Sequence, residues 1–359
     1  MYFDKVAYIY CDYKNKYNMN SKDVDILNII LIIISLYAAF HIPFGLFIFS
    51  YVVLGPLHYL TEINWLKEKE YFLGKANWSS IFIFFAVFLS IPFILKLSVF
   101  AELMKNESIK KYYDVLNSAS DEIYLIALIC TIGLLYFKNK IHLAAFVAIG
   151  SIIALLLLNN YSAAAMSIAI FIPTLIHVYV FTILFMIFGL LKNRTTPGMI
   201  SIILMFVVPI IIIFSKINPE TYYGLSDYTQ TSYLDSTFGA LNLEIAKWFV
   251  PIEGSNFNFL SSLGIKIQIF VAFAYTYHYL NWFSKTSIIR WDKAMTKSKI
   301  ITILTIWGIS ISIYLYSFKI GYIILIFLSL MHVLLEFPLN ITTIRELVKK
   351  VNVAIFSKN

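Results

Sequence analysis

The chain has 359 residues, of which 60% are hydrophobic and only 13% charged, and its formal charge is +8. Soluble domains are roughly 45–50% apolar and about 25% charged, so the composition excludes an ordinary soluble protein and indicates an integral membrane protein. Lys and Arg lie in short stretches between apolar runs, without a phosphate loop, RNA-binding signature or finger-type Cys/His spacing, so the positive charge reports topology and nucleic acid is not a partner.

Residues 1–23 form a polar and aromatic amino-terminal segment without the apolar core and small-residue cleavage site of a secretory signal. The segment is expected to be retained and cytoplasmic. Cys11 lies in it and Cys130 inside an apolar run, a separation that fits free thiols better than a disulfide framework or a zinc motif.

A membrane-crossing helix takes about 20 mostly apolar residues. Ten segments meet that need, at about 24–40, 42–62, 79–100, 121–137, 141–158, 164–191, 197–215, 262–284, 300–318 and 320–341. Pro43 and Gly45 divide the first two. The expected fold is therefore all-α, a polytopic bundle of about ten transmembrane helices forming one domain over 24–345, with a cytoplasmic tail at 346–359. With the amino terminus inside, the outer side holds eight of the 28 Lys and Arg: Lys96, Lys105, Lys110, Lys111, Lys216, Lys247, Lys266 and Lys319. The other 20 fall inside, which supports both ends being cytoplasmic. The long stretch at 216–261, with Pro219, Pro251 and an aromatic patch around Trp248, is expected to be an external cap carrying a short interfacial helix.

Four of the six histidines, His58, His177, His278 and His332, lie in the second, sixth, eighth and tenth segments, which all run from outside to inside in this topology. His278 is seven residues before Lys285, His58 nine before Lys67, His332 thirteen before Arg345 and His177 fifteen before Lys192. At 1.5 Å per residue, all four fall between the midplane and the inner surface. His41 and His142 fall at segment ends and read as interfacial. Ionisable side chains inside a bilayer are costly and mark function by default, and imidazole is the commonest transition-metal ligand.

Glu62 follows His58 by four residues and Glu336 follows His332 by four, so each pair shares a helix face. A glutamate there can bind a metal, or accept the second ring N–H of a ligating histidine on a neighbouring helix. Four imidazoles, two glutamates and no aspartate favour one ion over two, with iron(II) the leading candidate and dioxygen its co-substrate. Tyr275 and Asn281 lie three residues either side of His278 and border its face. Pro56 and Pro173 lie two residues before His58 and four before His177, where a kink frees a backbone carbonyl and opens space.

The inventory of His58 with Glu62, His177, His278, and His332 with Glu336 resembles that of the Brp/Blh family of membrane carotenoid dioxygenases. The resemblance implies oxidative cleavage of a carotenoid to retinal in a bacterial cytoplasmic membrane. The paired-histidine boxes of membrane desaturases, such as HxxxH, are absent. From the residues themselves the expectation is an iron-dependent oxygenase acting on an apolar, lipid-dissolved substrate such as a carotenoid or acyl lipid, served by a cytosolic electron donor. Two alternatives stand beside it: a proton-coupled transporter with His and Glu as its relay, and a haem protein using histidine pairs.

Overall fold

The computed structural model describes residues 20–69, 79–160, 171–235, 238–252 and 257–356. Every regular element among them is helical. In chain order these are α1 (Ser21–His41), α2 (Pro43–Phe49), α3 (Gly55–Lys69), α4 (Ser79–Ile94), α5 (Glu107–Ser118), α6 (Ser120–Tyr136), α7 (Lys140–Asn160), α8 (Thr182–Asn193), α9 (Thr196–Phe214), α10 (Asp227–Asp235), α11 (Phe238–Ala246), α12 (Ser262–Ser284), α13 (Thr286–Ile289), α14 (Lys297–Tyr316) and α15 (Phe318–Phe356). Two π-helical stretches join them, Ser50–Leu54 between α2 and α3, and Ile172–Phe181 ahead of α8.

Within the described residues each of the ten apolar segments is largely helical, residues 164–170 of the sixth lying outside them, and six helices are long and apolar enough to cross a membrane: Ser21–His41, Pro43–Lys67, Ile172–Asn193, Thr196–Phe214, Lys297–Tyr316 and Phe318–Lys350. The remaining four fall short for identifiable reasons. α4 holds Pro92 and stops at Ile94, six residues before the end of the expected segment, as the loss of a backbone donor favours. α6 forms a bent pair with α5, at 52°. The apolar part of α7 is only Lys140–Leu156. α12 carries Gln268, Thr276, His278 and Asn281 within its buried surface, which dilutes its hydropathy.

α12 is the hub of the fold. It packs against α1, α2, α3, α9, α11 and both π stretches, and its residues from Gly264 to Trp282 are almost all buried. A helix sheathed by protein on all sides can carry polar residues that a lipid-facing helix cannot. The peripheral helices show the reverse pattern. α14 exposes Ile301, Leu304, Ile309 and Leu315, and α9 exposes Ile203, Phe206, Ile210 and Phe214, the aliphatic surface expected toward lipid. α15 joins two cores, contacting α3 and α14 on one side and α4 and α6 on the other.

Three departures from the sequence expectations have local causes. α5 is too polar for hydropathy to register; it is a surface helix without buried residues, and its N-cap Asn106 accepts from the backbone N–H groups of Ser108 and Ile109. α15 continues beyond the expected end at 341 and through most of the segment read as a tail, as far as Phe356. The 216–261 stretch does contain short helices, and they dock on the bundle. Leu241 and Ile245 are buried against α12, and Asn242 Nδ2 donates to Gln268 Oε1 at 2.9 Å. Trp248 and Phe249 remain exposed, as an interfacial patch would be. Cys130 is a buried free thiol, while Cys11 lies outside the described residues.

α12 starts in a tight register. A Cβ on Gly264 would lie 2.4 Å from the Phe259 carbonyl oxygen and 2.7 Å from its carbon, whereas one on Gly308 would meet nothing within 4 Å. Gly264→Ala is therefore expected to cost about 1–3 kcal/mol through backbone displacement and to lower the thermal midpoint in detergent, with Gly308→Ala close to wild type. Equal midpoints for the two variants would show that α12 is not seated as described.

Candidate metal centre

His58 sits one turn into α3, just after the π stretch and Pro56, and His177 lies inside the second π stretch, which has Pro173 at its start. A π turn holds an extra residue, so it rotates the face that follows relative to a continuous α-helix, and such turns recur at functional sites. His278 comes from the hub α12 and His332 from α15. All four side chains are buried, as are Glu62 and Glu336.

The four rings form a closed quadrangle. Neighbouring centroids are 4.8 Å apart for His58 and His278, 5.0 Å for His278 and His177, 5.0 Å for His177 and His332, and 5.4 Å for His332 and His58. Their Nε2 atoms face inward, with His177 and His332 separated by 3.1 Å and His58 and His278 by 3.2 Å. Two nitrogens each about 2.1 Å from one ion lie roughly 3.0 Å apart at a right angle and roughly 3.4 Å apart at the tetrahedral angle. The observed separations fall between these limits. The ligand atoms of His58, His177 and His278, and those of His58, Glu62 and His332, form two overlapping sets that can each hold a metal ion.

The groups around His278 fix which of its nitrogens carries the proton. Thr182 Oγ1 donates to the Val178 carbonyl at 2.8 Å. Having spent its one hydrogen, it accepts from His278 Nδ1 at 2.9 Å, which leaves the His278 Nε2 lone pair pointing into the quadrangle. Glu336 Oε2 lies 2.7 Å from His177 Nδ1, a close contact between two buried atoms neither of which has an aligned hydrogen bond. A carboxylate beside the outer nitrogen of a ring is placed to orient a metal ligand once that nitrogen donates to it.

The two glutamates differ in placement. Glu336 backs His177 from α15, rather than its own i−4 neighbour His332. Glu62 Oε2 instead lies 3.0 Å from His58 Nε2, the inward nitrogen. Glu62 Oε2, Glu336 Oε2 and the Nδ1 atoms of His58, His177 and His332 are buried without an aligned hydrogen bond. A carboxylate oxygen and an imidazole nitrogen in contact but out of hydrogen-bond alignment suit two ligands aimed at a common cation. The residues present fit a metal ion.

Asn281 and Tyr275 take other positions. Asn281 Nδ2 donates to Asn28 Oδ1 at 2.7 Å and to Tyr277 Oη at 3.0 Å, tying α12 to α1. Tyr275 packs edge-on to Phe47 at 5.3 Å and against Tyr279 at 6.2 Å. Each lines a cavity that reaches the histidines. Asn281 belongs to a polar cavity of about 360 Å³ shared with Asp25, Asn28, His58, Glu62, His278, Lys285 and Glu336. Tyr275 belongs to an aromatic cavity of about 340 Å³ shared with Tyr51, Tyr59, Tyr279, Tyr322, His177 and His332. His41 and His142 are exposed and stand apart from the quartet.

Sequence reasoning did not find Thr182, Tyr59 or Tyr279. Tyr59 stacks on His332 at 4.1 Å with an interplanar angle of 24°, and its hydroxyl meets that of Tyr279 at 2.9 Å. Both tyrosines are sequence neighbours of ligand candidates, His58 and His278, which was the available signal. Thr182 has none, because its role depends on how α8 meets α12.

Replacing the Thr182 hydroxyl should expose its role without reference to any ion. Thr182→Val strands a buried Nδ1–H and is expected to destabilise by about 1–3 kcal/mol, with Thr182→Ser close to wild type in the same thermal melt. A Val variant as stable as wild type would remove Thr182 as the fixer of the His278 ring.

Comparison of the chain with protein-family models, with curated proteins and with solved structures gives no match.

Proposed function

We propose that the protein is a membrane metal-dependent oxidoreductase of the oxygenase class, acting on an apolar substrate dissolved in the bilayer, such as a carotenoid or acyl lipid. The observation that carries the reading is that four buried imidazoles meet in two close Nε2 pairs and, with Glu62, form two overlapping three-ligand sets that share His58. His58, His177, His278 and His332 are the ligands of one ion, iron(II). Iron held there supplies the activation of dioxygen as co-substrate.

The protein's own part is orientation and access. Thr182 holds the His278 ring with its lone pair inward, Glu336 stands beside the outer nitrogen of His177, and Glu62 reaches the centre beside His58. The aromatic cavity admits the apolar substrate, and Tyr275 lines it. The polar cavity, lined by Asn281, Asp25 and Lys285, serves protons and a cytosolic electron donor. The fuller topology belongs to the same proposal: ten crossings in a bacterial cytoplasmic membrane, with both ends on the Lys- and Arg-rich side. The resemblance to the Brp/Blh dioxygenases places carotenoid cleavage among the candidate reactions.

A second reading, a proton-coupled transporter, draws on the His58–Glu62 contact and on the polar cavity that continues from it to Asp25 and Lys285. A haem site gains no support, since rings with centroids only 4.8–5.4 Å apart leave no gap for a macrocycle between them.

Elemental analysis of detergent-purified protein separates the two supported readings. About one iron per chain is expected, lost in His58→Ala and in His332→Ala, because each removes a ligand. Folded, metal-free wild-type protein that takes up no iron would instead leave the relay. Glu336→Gln keeps all four imidazoles but weakens the orientation of His177. Its affinity for iron is expected to fall about 10–100-fold in a competitive chelator titration, and unchanged affinity would remove Glu336 from the site.

A further inference from the structure

The aromatic cavity narrows the substrate class. We infer that it receives, end-on, the oxygen-bearing ring of an isoprenoid lipid of the quinone or quinol type; the inference rests on the histidine quartet being the reacting centre.

Size is the first constraint. A cavity of about 340 Å³ lies at the small end of the range for ligand sites, about 300–1,000 Å³. That is room for one substituted ring and the start of a chain, and too little for a whole forty-carbon polyene. The second constraint is what lies beyond the quartet. A substrate reacting at its middle must lay its other half on the far side, where Asp25, Lys285 and Glu62 interrupt an otherwise largely apolar lining that includes Trp65, Phe185 and Phe188. Pressing hydrocarbon against charged groups strips them of water without replacing its hydrogen bonds. A substrate presenting one end avoids this.

Wall chemistry is the third constraint. Tyr59 and Tyr279 bring their rings beside the histidines and bond hydroxyl to hydroxyl at 2.9 Å, and the Tyr59 hydroxyl also faces Ser329 and Tyr51. A phenol has one donor and two acceptor sites, which the three neighbours of the Tyr59 hydroxyl can occupy, whereas the Tyr279 hydroxyl beside it keeps capacity for a ligand oxygen or hydroxyl. Flat aromatic walls favour a planar ring. A saturated acyl end would use neither feature.

The test is equilibrium binding to iron-loaded protein in lipid nanodiscs, with a decyl-substituted benzoquinone, palmitate and β-carotene as probes. The benzoquinone is expected to bind at one per chain, at least about tenfold tighter than the other two. Tyr279→Phe preserves shape and removes one hydroxyl, and should weaken it about five- to tenfold, the worth of one hydrogen bond. Tyr275→Phe provides a second cavity variant, and Tyr316→Phe, whose side chain faces outward, should change nothing. Palmitate or β-carotene binding as tightly as the quinone, or quinone affinity unmoved in both cavity variants while their thermal midpoints match wild type, would overturn the ligand class. Iron at one per chain with no quinone preference would sink this inference and leave the metal centre standing. Quinone selectivity in protein that takes up no iron would support the cavity assignment while defeating the metal centre.

Discussion

Polar and ionisable groups inside an apolar bundle must find their partners among one another, because lipid offers none. That constraint organises this protein. Its four buried histidines and two glutamates do not take separate partners across separate helix pairs. They gather in one place, so that α3, the second π stretch, α12 and α15 must all meet there. The same rule explains the position of α12. A helix bearing Gln268, Thr276, His278 and Asn281 is stable only if other helices cover it, and Asn242, Ser50, Thr182 and Asn28 on those helices satisfy its polar groups.

Local irregularity delivers the rings to the meeting point. Ile42, with Pro43 after it, breaks the chain between α1 and α2, and the following helix passes through a π stretch before His58. His177 lies within a second π stretch that opens at Pro173. A proline inside a membrane helix leaves a carbonyl without its usual donor, and a wider turn is one way to absorb the mismatch. Gly55 serves the same region: a Cβ there would lie 3.1 Å from the Tyr59 hydroxyl and 3.4 Å from that of Tyr279, crowding the pair that borders His332.

The ten helical segments and the four histidines were legible in the sequence because both signals are local in kind: hydropathy over about twenty residues, and a costly residue type within it. A common level for the four along their helices was legible too, since rise per residue is fixed and the rings do meet. Rotation was not. The i+4 spacing of His332 and Glu336 suggests a pair on one helix, yet Glu336 reaches His177 from another, and only the packing angle of α15 against the second π stretch decides that. Asn281 borders His278 by spacing but bonds to Asn28 and Tyr277. α5 escaped because hydropathy does not detect an amphipathic surface helix, and the full reach of α15 escaped because the charged residues from Arg345 onward end the apolar run without ending the helix.

Charge balance gives the strongest reason to place a metal ion rather than protons alone at the centre. Two shared protons would satisfy both close nitrogen pairs: His332 Nε2 donating to His177 and His58 Nε2 donating to His278. All four rings would then be neutral, and Glu62 and Glu336 would leave two negative charges buried in apolar surroundings. An uncompensated buried charge costs several kcal/mol or more. A divalent cation removes the imbalance in one step, because four neutral imidazoles, two carboxylates and one 2+ ion sum to zero. It also accounts for Glu62 Oε2 lying beside the inward nitrogen of His58 without hydrogen-bond alignment. A relay needs two further protons to reach the same neutrality, held on groups whose contacts are not arranged as hydrogen bonds. The geometry therefore favours the ion on electrostatic grounds that do not depend on which substrate enters the aromatic cavity.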